Sequence, residues 1–170
     1  MRLCAVDLLL IRGRQWKERA RFAAMVDMLD PETPSAAKAV MHDAEYLALG
    51  CGADLDVVYC EREASAPDRT ARAEGLSGLA REHQVSPKQV HILSGEPDDV
   101  LPAFASENDY DVVILGTLTH RKRLAQLVGK LTGRFADALD CDLLLVRSET
   151  AAAVTRTGAA DPLWQGVFGD

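Results

Sequence analysis

The stretch Asp111 to Arg147, DVVILGTLTHRKRLAQLVGKLTGRFADALDCDLLLVR, decides the fold. Its opening run, Val112-Val113-Ile114-Leu115, has the length and β-branched content of a strand buried on both faces, and Gly116 ends the run. A polar, basic turn follows. Beyond it Leu124, Leu127, Val128, Leu131, Phe135, Ala138 and Leu139 recur at spacings of 3, 1, 3, 4, 3 and 1, which places them on one stripe of a helix. A second apolar run, Leu143 to Val146, comes almost at once. Strand, crossover helix and strand of this length make a right-handed βαβ unit with parallel strands. A ligand of such a unit belongs at the carboxyl end of its first strand, around Gly116 to Arg123.

Working outward, the chain alternates elements throughout. Phe22 to Val26 is an apolar run ending in Asp27. Ser35 is a fitting N-cap for a helix to about Leu49, with Ala36, Val40, Ala44 and Leu47 facing inward and Gly50 as its stop. Leu55 to Cys60 reads as a strand, and Pro67 to His83 as an Ala-rich charged helix in which Gly75 and Gly78 each cost about 1 kcal/mol relative to Ala. Val90 to Leu93 is the next strand. Gly95-Glu96-Pro97-Asp98-Asp99 opens a helix to about Asn108, with Pro at its start and acids in its first turn where the dipole favours them. Five strands and four helices in alternation give an α/β, doubly wound parallel sheet.

The 170 residues amount to one domain of ordinary size, nearly half hydrophobic and a quarter charged, the composition of a globular chain. A net charge of −7 argues against general binding to nucleic-acid phosphates. No apolar stretch reaches the roughly 18 residues that span a bilayer. Arg12, Arg14, Lys17 and Arg19 interrupt what would be the apolar core of a signal peptide, so the expected compartment is the cytoplasm, with no membrane partner. Cys4, Cys51, Cys60 and Cys141 form no C-x-x-C pair and no metal-ligand spacing, and are read as small buried hydrophobes. His42, His83, His91 and His120 fall on separate elements without ligand-spaced partners, so no metal is expected.

Val6 to Arg14, VDLLLIRGR, echoes Cys141 to Glu149, CDLLLVRSE. An apolar strand detached from its parent sheet exposes unpaired backbone groups and seeks another edge. Residues 6–11 are therefore expected to pair with the edge strand at 142–147, in the same chain or in a partner.

The region from Gly116 onward resembles the last third of the universal stress protein family, in which a strand is followed by G-x-x-G, nine residues and G-(Ser/Thr). Gly116 and Gly129 stand at the family's separation, Thr119 replaces the middle glycine and Lys130 replaces the hydroxyl residue. CDLLLVR resembles the family's final strand. With SGEPDDVLP (Ser94 to Pro102), the chain resembles most the second domain of tandem members of the UspE type. The resemblance covers about residues 21–149 and implies an adenine-nucleotide alpha hydrolase-like sheet ordered 3-2-1-4-5, to which residues 6–11 add an extra strand. It implies three regions: 1–20, a remnant last strand of a preceding domain plus linker; 21–149, the universal stress domain; and 150–170, a tail whose Leu163, Trp164 and Phe168 dock on a partner or fray.

In nucleotide-binding members the first-strand Asp meets the ribose, the glycine loop wraps the phosphates and a second-strand backbone holds adenine. The resemblance carries these roles to Asp27, to Gly116 with Gly129, and to Val58. Thr119 in place of glycine costs about 1–2 kcal/mol if the left-handed conformation is kept, and its branch crowds the phosphates. Position 130 loses a hydroxyl. Against this, Lys130 with Arg121 and its basic neighbours favours an anion, although HRKR (His120 to Arg123) reads equally as a solvated loop face. No P-loop is present, and no nucleophile accompanies Asp27 and His120. The leading expectation is thus a stress-response module that is not an enzyme. It has a degenerate nucleotide loop and no cofactor, and acts through a homodimer or pseudo-dimer made by strands 6–11 and 142–147. The alternative is an ATP- or AMP-binding sensor in which Arg121 and Lys130 replace the missing loop contacts. A third is a fragment that needs a separately encoded first domain.

Overall fold

The computed structural model describes residues 7–28, 34–61, 66–118 and 138–148. They form a six-stranded sheet with the strands β1 (Leu8–Leu10), β2 (Arg21–Val26), β3 (Asp54–Glu61), β4 (Val90–Ser94), β5 (Val112–Leu118) and β6 (Asp142–Ser148). Three α-helices are described, α1 (Pro34–Cys51), α2 (Ala66–Glu82) and α3 (Pro97–Glu107). The order across the sheet is β1-β6-β5-β2-β3-β4. Counted without β1, this is the expected 3-2-1-4-5 arrangement, and all its neighbours are parallel. The expected crossover helix between β5 and β6 falls almost wholly on residues 119–137, outside the described residues. At its end Ala138 is helical and Leu139 is buried.

Parallel strands covered on both faces need side chains that are apolar in both directions, and β2 supplies them: Phe22, Ala23, Ala24, Met25 and Val26 are all buried. One face packs Phe22, Ala24, Val57, Tyr59 and Ile114 against α1 and α2. The other packs Ala23, Met25, Val58, Val113 and Leu143 against Leu101 and Ala105 of α3 and against Leu139.

The added strand is present as expected, and it pairs within the chain. β1 runs antiparallel to β6, with Leu8 opposite Leu145, Leu9 opposite Leu144 and Leu10 opposite Leu143. Among the described residues three pair, and residue 6 of the expected 6–11 span lies outside them.

Several boundaries differ from the sequence reading, each for a local reason. β5 does not stop at Gly116, because β6 continues beside it and pairs Gly116, Thr117 and Leu118 with Val146, Arg147 and Ser148. α1 opens at Pro34, a position where the missing N–H costs nothing, and so before Ser35. It ends not at Gly50 but at Cys51, where Gly52 takes φ +63°. The amides of Gly52 and Ala53 then donate back to the carbonyls of Leu49 (3.3 Å) and Ala48 (2.8 Å), closing a Schellman motif. Gln84 (φ 56°) closes α2 in the same way. Cys51 is exposed, contrary to the buried role expected of it, whereas Cys60 and Cys141 are buried. Among the described residues no helix is long and apolar enough to cross a membrane.

Candidate functional site

The chain leaves β2 toward β3 on one side, while β5 flanks it on the other, so the carboxyl end of β2 is the topological switch point where open α/β sheets bind ligands. Asp27 follows β2 directly and is exposed there. Because Met25 pairs with Leu115, Gly116 comes level with Val26, one residue short of Asp27. Asp27, just past the end of β2, is therefore brought beside Gly116, which lies two residues before the end of β5. Val58 is not brought to that edge. It pairs with Met25 on one side and His91 on the other, is fully buried, and has further strand residues beyond it up to Glu61. Thr119, Arg121, Gly129 and Lys130 lie outside the described residues, as does His120.

Gly116 has a packing reason to be glycine. A Cβ built on it would stand 2.9 Å from Cγ2 of Val40, a buried residue of α1. The close approach of α1 to β5 forms one wall of the switch point.

Sequence reading missed the polar residues that end β3. Glu61 is 7% exposed, and its carboxylate lies 3.4 Å from Arg69 Nε and 3.8 Å from Arg72 Nη1, both on α2. Among the described residues the buried Tyr59 hydroxyl and Oε1 of Glu61 make no well-formed hydrogen bond, and Arg72 is the cation that both of them face. Burial pushes the Tyr59 hydroxyl above its ordinary pKa; Arg72 works against this, while Glu61 and Asp27 add to it. The available signal was a charged residue closing an otherwise apolar strand run. This end of the sheet can hold a polar ligand by hydrogen bonds and charge. Among the described residues it assembles no nucleophile with a base, and no group of three His, Cys, Asp or Glu side chains is placed to hold a metal.

The amino end of the sheet is more densely bonded. Asp56, 5% exposed, accepts from Tyr110 Oη at 2.6 Å and from Arg21 Nη2 at 2.9 Å, with His91 Nε2 at 3.5 Å. The Arg21 guanidinium also lies over the Tyr110 ring, 4.9 Å from its centroid. Burial, followed by the bond to Asp56, pushes the Tyr110 hydroxyl far above its ordinary pKa. Asp111 accepts from the amides of Lys17 (3.3 Å) and Arg21 (2.9 Å), and Asp142 accepts from the amide of Arg12 (2.7 Å) and from Trp16 Nε1 (2.8 Å). The segment between β1 and β2 is thereby strapped across the sheet. These polar side chains are occupied with holding the strap or the strands.

Comparison with known proteins agrees with this architecture. The family model of the universal stress protein family matches residues 25–147. Universal stress protein E of Salmonella typhi is 27% identical over 74 residues, which cover 44% of this chain and 24% of that protein. A universal stress protein E homolog of Haemophilus influenzae is 22% identical over 166 residues, covering 86% of this chain and 54% of its own length. The chain thus spans between about a quarter and a half of the curated relatives it matches. Among solved structures, a candidate universal stress protein from Pseudomonas aeruginosa UCBPP-PA14 superposes with a TM-score of 0.71 at 24% identity, over 83% of this chain and 52% of that one. A universal stress protein crystallised in complex with cAMP superposes with a TM-score of 0.57 at 17% identity, over 76% of this chain and 98% of that one. At these identities the structural likenesses speak to the fold alone. A family match over most of the chain, carried by the sheet order that the motif implies, settles the classification: this chain belongs to the universal stress protein family.

Proposed function

We propose that the chain is a stress-response module of the universal stress type that performs no chemistry and works through contacts made at one end of its sheet. The observation that carries this reading is the state of β1. Its pairing to β6 leaves Leu8 41%, Leu9 37% and Ile11 72% exposed along a strand edge that no described residue pairs. Exposed apolar edges are costly to leave open and are normally blunted or covered. The dimer or pseudo-dimer contact of the module belongs at this end of the sheet. Light scattering on the eluting protein, followed by hydrogen exchange at residues 7–12, tests it. Partner-dependent protection of those amides supports the reading; an edge that never gains protection in any assembly removes it.

A second reading, adenine-nucleotide sensing, is favoured by the exposed carboxylate of Asp27 beside Gly116 at the switch point. A universal stress protein of the same fold was crystallised in complex with cAMP, which supports this reading. In this chain the ligand would be ATP or AMP, with Asp27 facing the ribose and the loop from Gly116 to Lys130 facing phosphate. The two readings separate in a thermal-shift scan. Ligand at one hundred times its dissociation constant adds about 2.7 kcal/mol to stability, a rise of several degrees, and an unchanged melting temperature at millimolar AMP and ATP leaves the first reading alone.

A further inference from the structure

The first two turns of α2 carry charges set against the helix dipole. β3 ends at Glu61 and α2 runs back from Ala66, so the amino end of this 17-residue helix stands at the carboxyl ends of the strands. The first amides of a helix have no intrahelical acceptor, and the dipole makes this end positive. Anions are favoured there and cations are not. Arg69 nevertheless closes the first turn and Arg72 lies in the second.

The counter-charge beneath them is one carboxylate. Glu61 is 7% exposed and lies 3.4 Å from Arg69 Nε and 3.8 Å from Arg72 Nη1, both longer than the roughly 2.7–2.9 Å of a charge-assisted hydrogen bond. Two guanidiniums over one carboxylate leave a positive charge in excess, and neither fork is closed on Glu61. Tyr59 stands two residues earlier on the same face of β3, in the cluster that Leu76 and Leu79 of α2 cover. It is 1% exposed, and its hydroxyl faces Arg72 without a well-formed hydrogen bond. Buried polar atoms with unused bonding capacity call for a partner. Away from Glu61 the arginines are open, the side chain of Arg72 being 23% exposed and that of Arg69 56%. A guanidinium carries five N–H donors in a fixed fork, so those not turned to Glu61 are available to a ligand. The corner adjoins the switch point: Val26 pairs with Tyr59, which brings Asp27 level with the end of β3, one strand away. Met28 reaches α2 itself, since a Cβ on Gly75, one turn beyond Arg72, would stand 3.2 Å from its Cε.

We infer that Arg69 and Arg72, braced from below by Glu61 and Tyr59, form an anion site at the β3–α2 corner that takes the phosphate group of a small molecule. Planar guanidiniums meet phosphate oxygens two at a time, and the helix end adds its amides and dipole. Glu61 lowers the cost of bringing two cations together there. Neither of the two readings above places a ligand on α2.

The experiment is a titration with inorganic phosphate at constant ionic strength, read at the arginine Nε–H signals in proton–nitrogen NMR spectra. The signals of Arg69 and Arg72 should move together and saturate, while that of Arg81, exposed near the other end of α2, should not. Arg69→Gln should weaken binding at least about tenfold, and Arg81→Gln, the same change of charge, less than about twofold. Arg72→Gln alone strands a buried carboxylate, so position 72 is tested as Glu61→Gln/Arg72→Gln. That pair removes both charges, isolates the loss of the fork and should also cost at least about tenfold. AMP then identifies the source of the phosphate. If AMP moves the same two signals at lower concentration than phosphate does, the ligand is a nucleotide; if it is no stronger, the ligand is free phosphate or another phosphomonoester. Either result supports the site. Shifts that rise linearly and appear equally at Arg81, or an affinity unchanged by Arg69→Gln and by the paired variant, overturn the inference. AMP that moves the amides of Asp27 and Gly116 but leaves Arg69 and Arg72 silent also overturns it, and nucleotide sensing then stands without it.

Discussion

Replacing Gly116 with Ala separates the packing role of that glycine from its role in any loop. The new Cβ would stand 2.9 Å from Val40 Cγ2, against the roughly 3.5–4.0 Å of a favourable carbon contact. Val40 cannot step aside, being β-branched, inside α1 and 2% exposed, so the helix has to shift. Overpacking of this kind costs about 1–3 kcal/mol, and Ala recovers about 0.5–1 kcal/mol of the backbone entropy that Gly gives up in a strand. The net loss should be about 1 kcal/mol, within limits of about 0–2.5 kcal/mol. Val40→Ala alone removes two buried methyl groups and leaves a void, about 2 kcal/mol in total. In the double variant the Cβ introduced at position 116 occupies part of that void. Its loss should therefore be near 1 kcal/mol, well short of the sum, on the same transfer and cavity terms. Urea unfolding of the four proteins measures this, each kcal/mol moving the midpoint by about 0.5 M at an m-value of about 2 kcal/mol/M. A Gly116→Ala change that costs as much in the Val40→Ala background as in the parent would refute the packing account. The glycine would then have to be explained by what the loop binds.

Four further outcomes follow from the same contacts. Tyr110→Phe deprives buried Asp56 of a 2.6 Å donor and should cost about 1.5–3 kcal/mol in urea unfolding, since the carboxylate stays behind. Asp142→Asn keeps one acceptor but loses the charge that holds Arg12 N and Trp16 Nε1; a loss of about 1 kcal/mol should speed exchange at the β1 amides about fivefold. Asp109, bonded to Arg14 and Lys17, has its pKa lowered to about 2, so its contribution to stability is present above the ordinary carboxylate range and fades as pH falls toward 2. Its carboxyl titration by NMR should move upward in the Arg14→Ala protein and in high salt, because the pair is exposed. A thiol reagent should modify Cys51 in the native protein and leave Cys141 untouched until unfolding, since Cys141 is buried and its pKa is pushed up to about 11.

What was legible in the sequence divides along the range of the interactions. Val112 to Leu115 and Phe22 to Val26 declare themselves because a strand buried on both faces has no polar alternation to obscure it. The pairing of residues 8–10 with 143–145 was legible for a different reason, the repetition of one short motif at both ends of the chain. Helix ends were less so. Gly50 looks like a stop, but the stop is Gly52, and α2 and α3 close on Gln84 and Asp109, non-glycine residues at φ 56° and 54° that no composition rule would choose. The switch point was half legible. Asp27 closes an apolar run and Gly116 interrupts one, which a linear pattern can mark, although β5 continues past Gly116 to Leu118. Whether Val58 sits at an edge or in the interior depends on register with β2 and β4, which such a pattern cannot mark. Tyr59, Glu61 and Arg72 meet only once α2 has folded back over β3.

The strap from Ile11 to Ala20 shows how the same residues change meaning once the sheet is closed. As sequence, Arg12, Arg14, Lys17 and Arg19 only break up an apolar leader and resemble a solvated linker. In the fold, Arg14, Lys17 and Arg19 meet Asp109, Asp111 and Asp54. The pairs with Asp109 and Asp54 are exposed and weaken in salt, so they do not by themselves fix β1. The stronger attachment comes from Asp111 and Asp142, both nearly inaccessible, which stand at the starts of β5 and β6 and accept main-chain amides of the strap. A carboxylate buried at a strand start is costly unless donors satisfy it, and the strap supplies those donors. β5 and β6 therefore need the strap as much as it needs them. β1 is held in register by the core of the domain as well as by its own three residues of pairing.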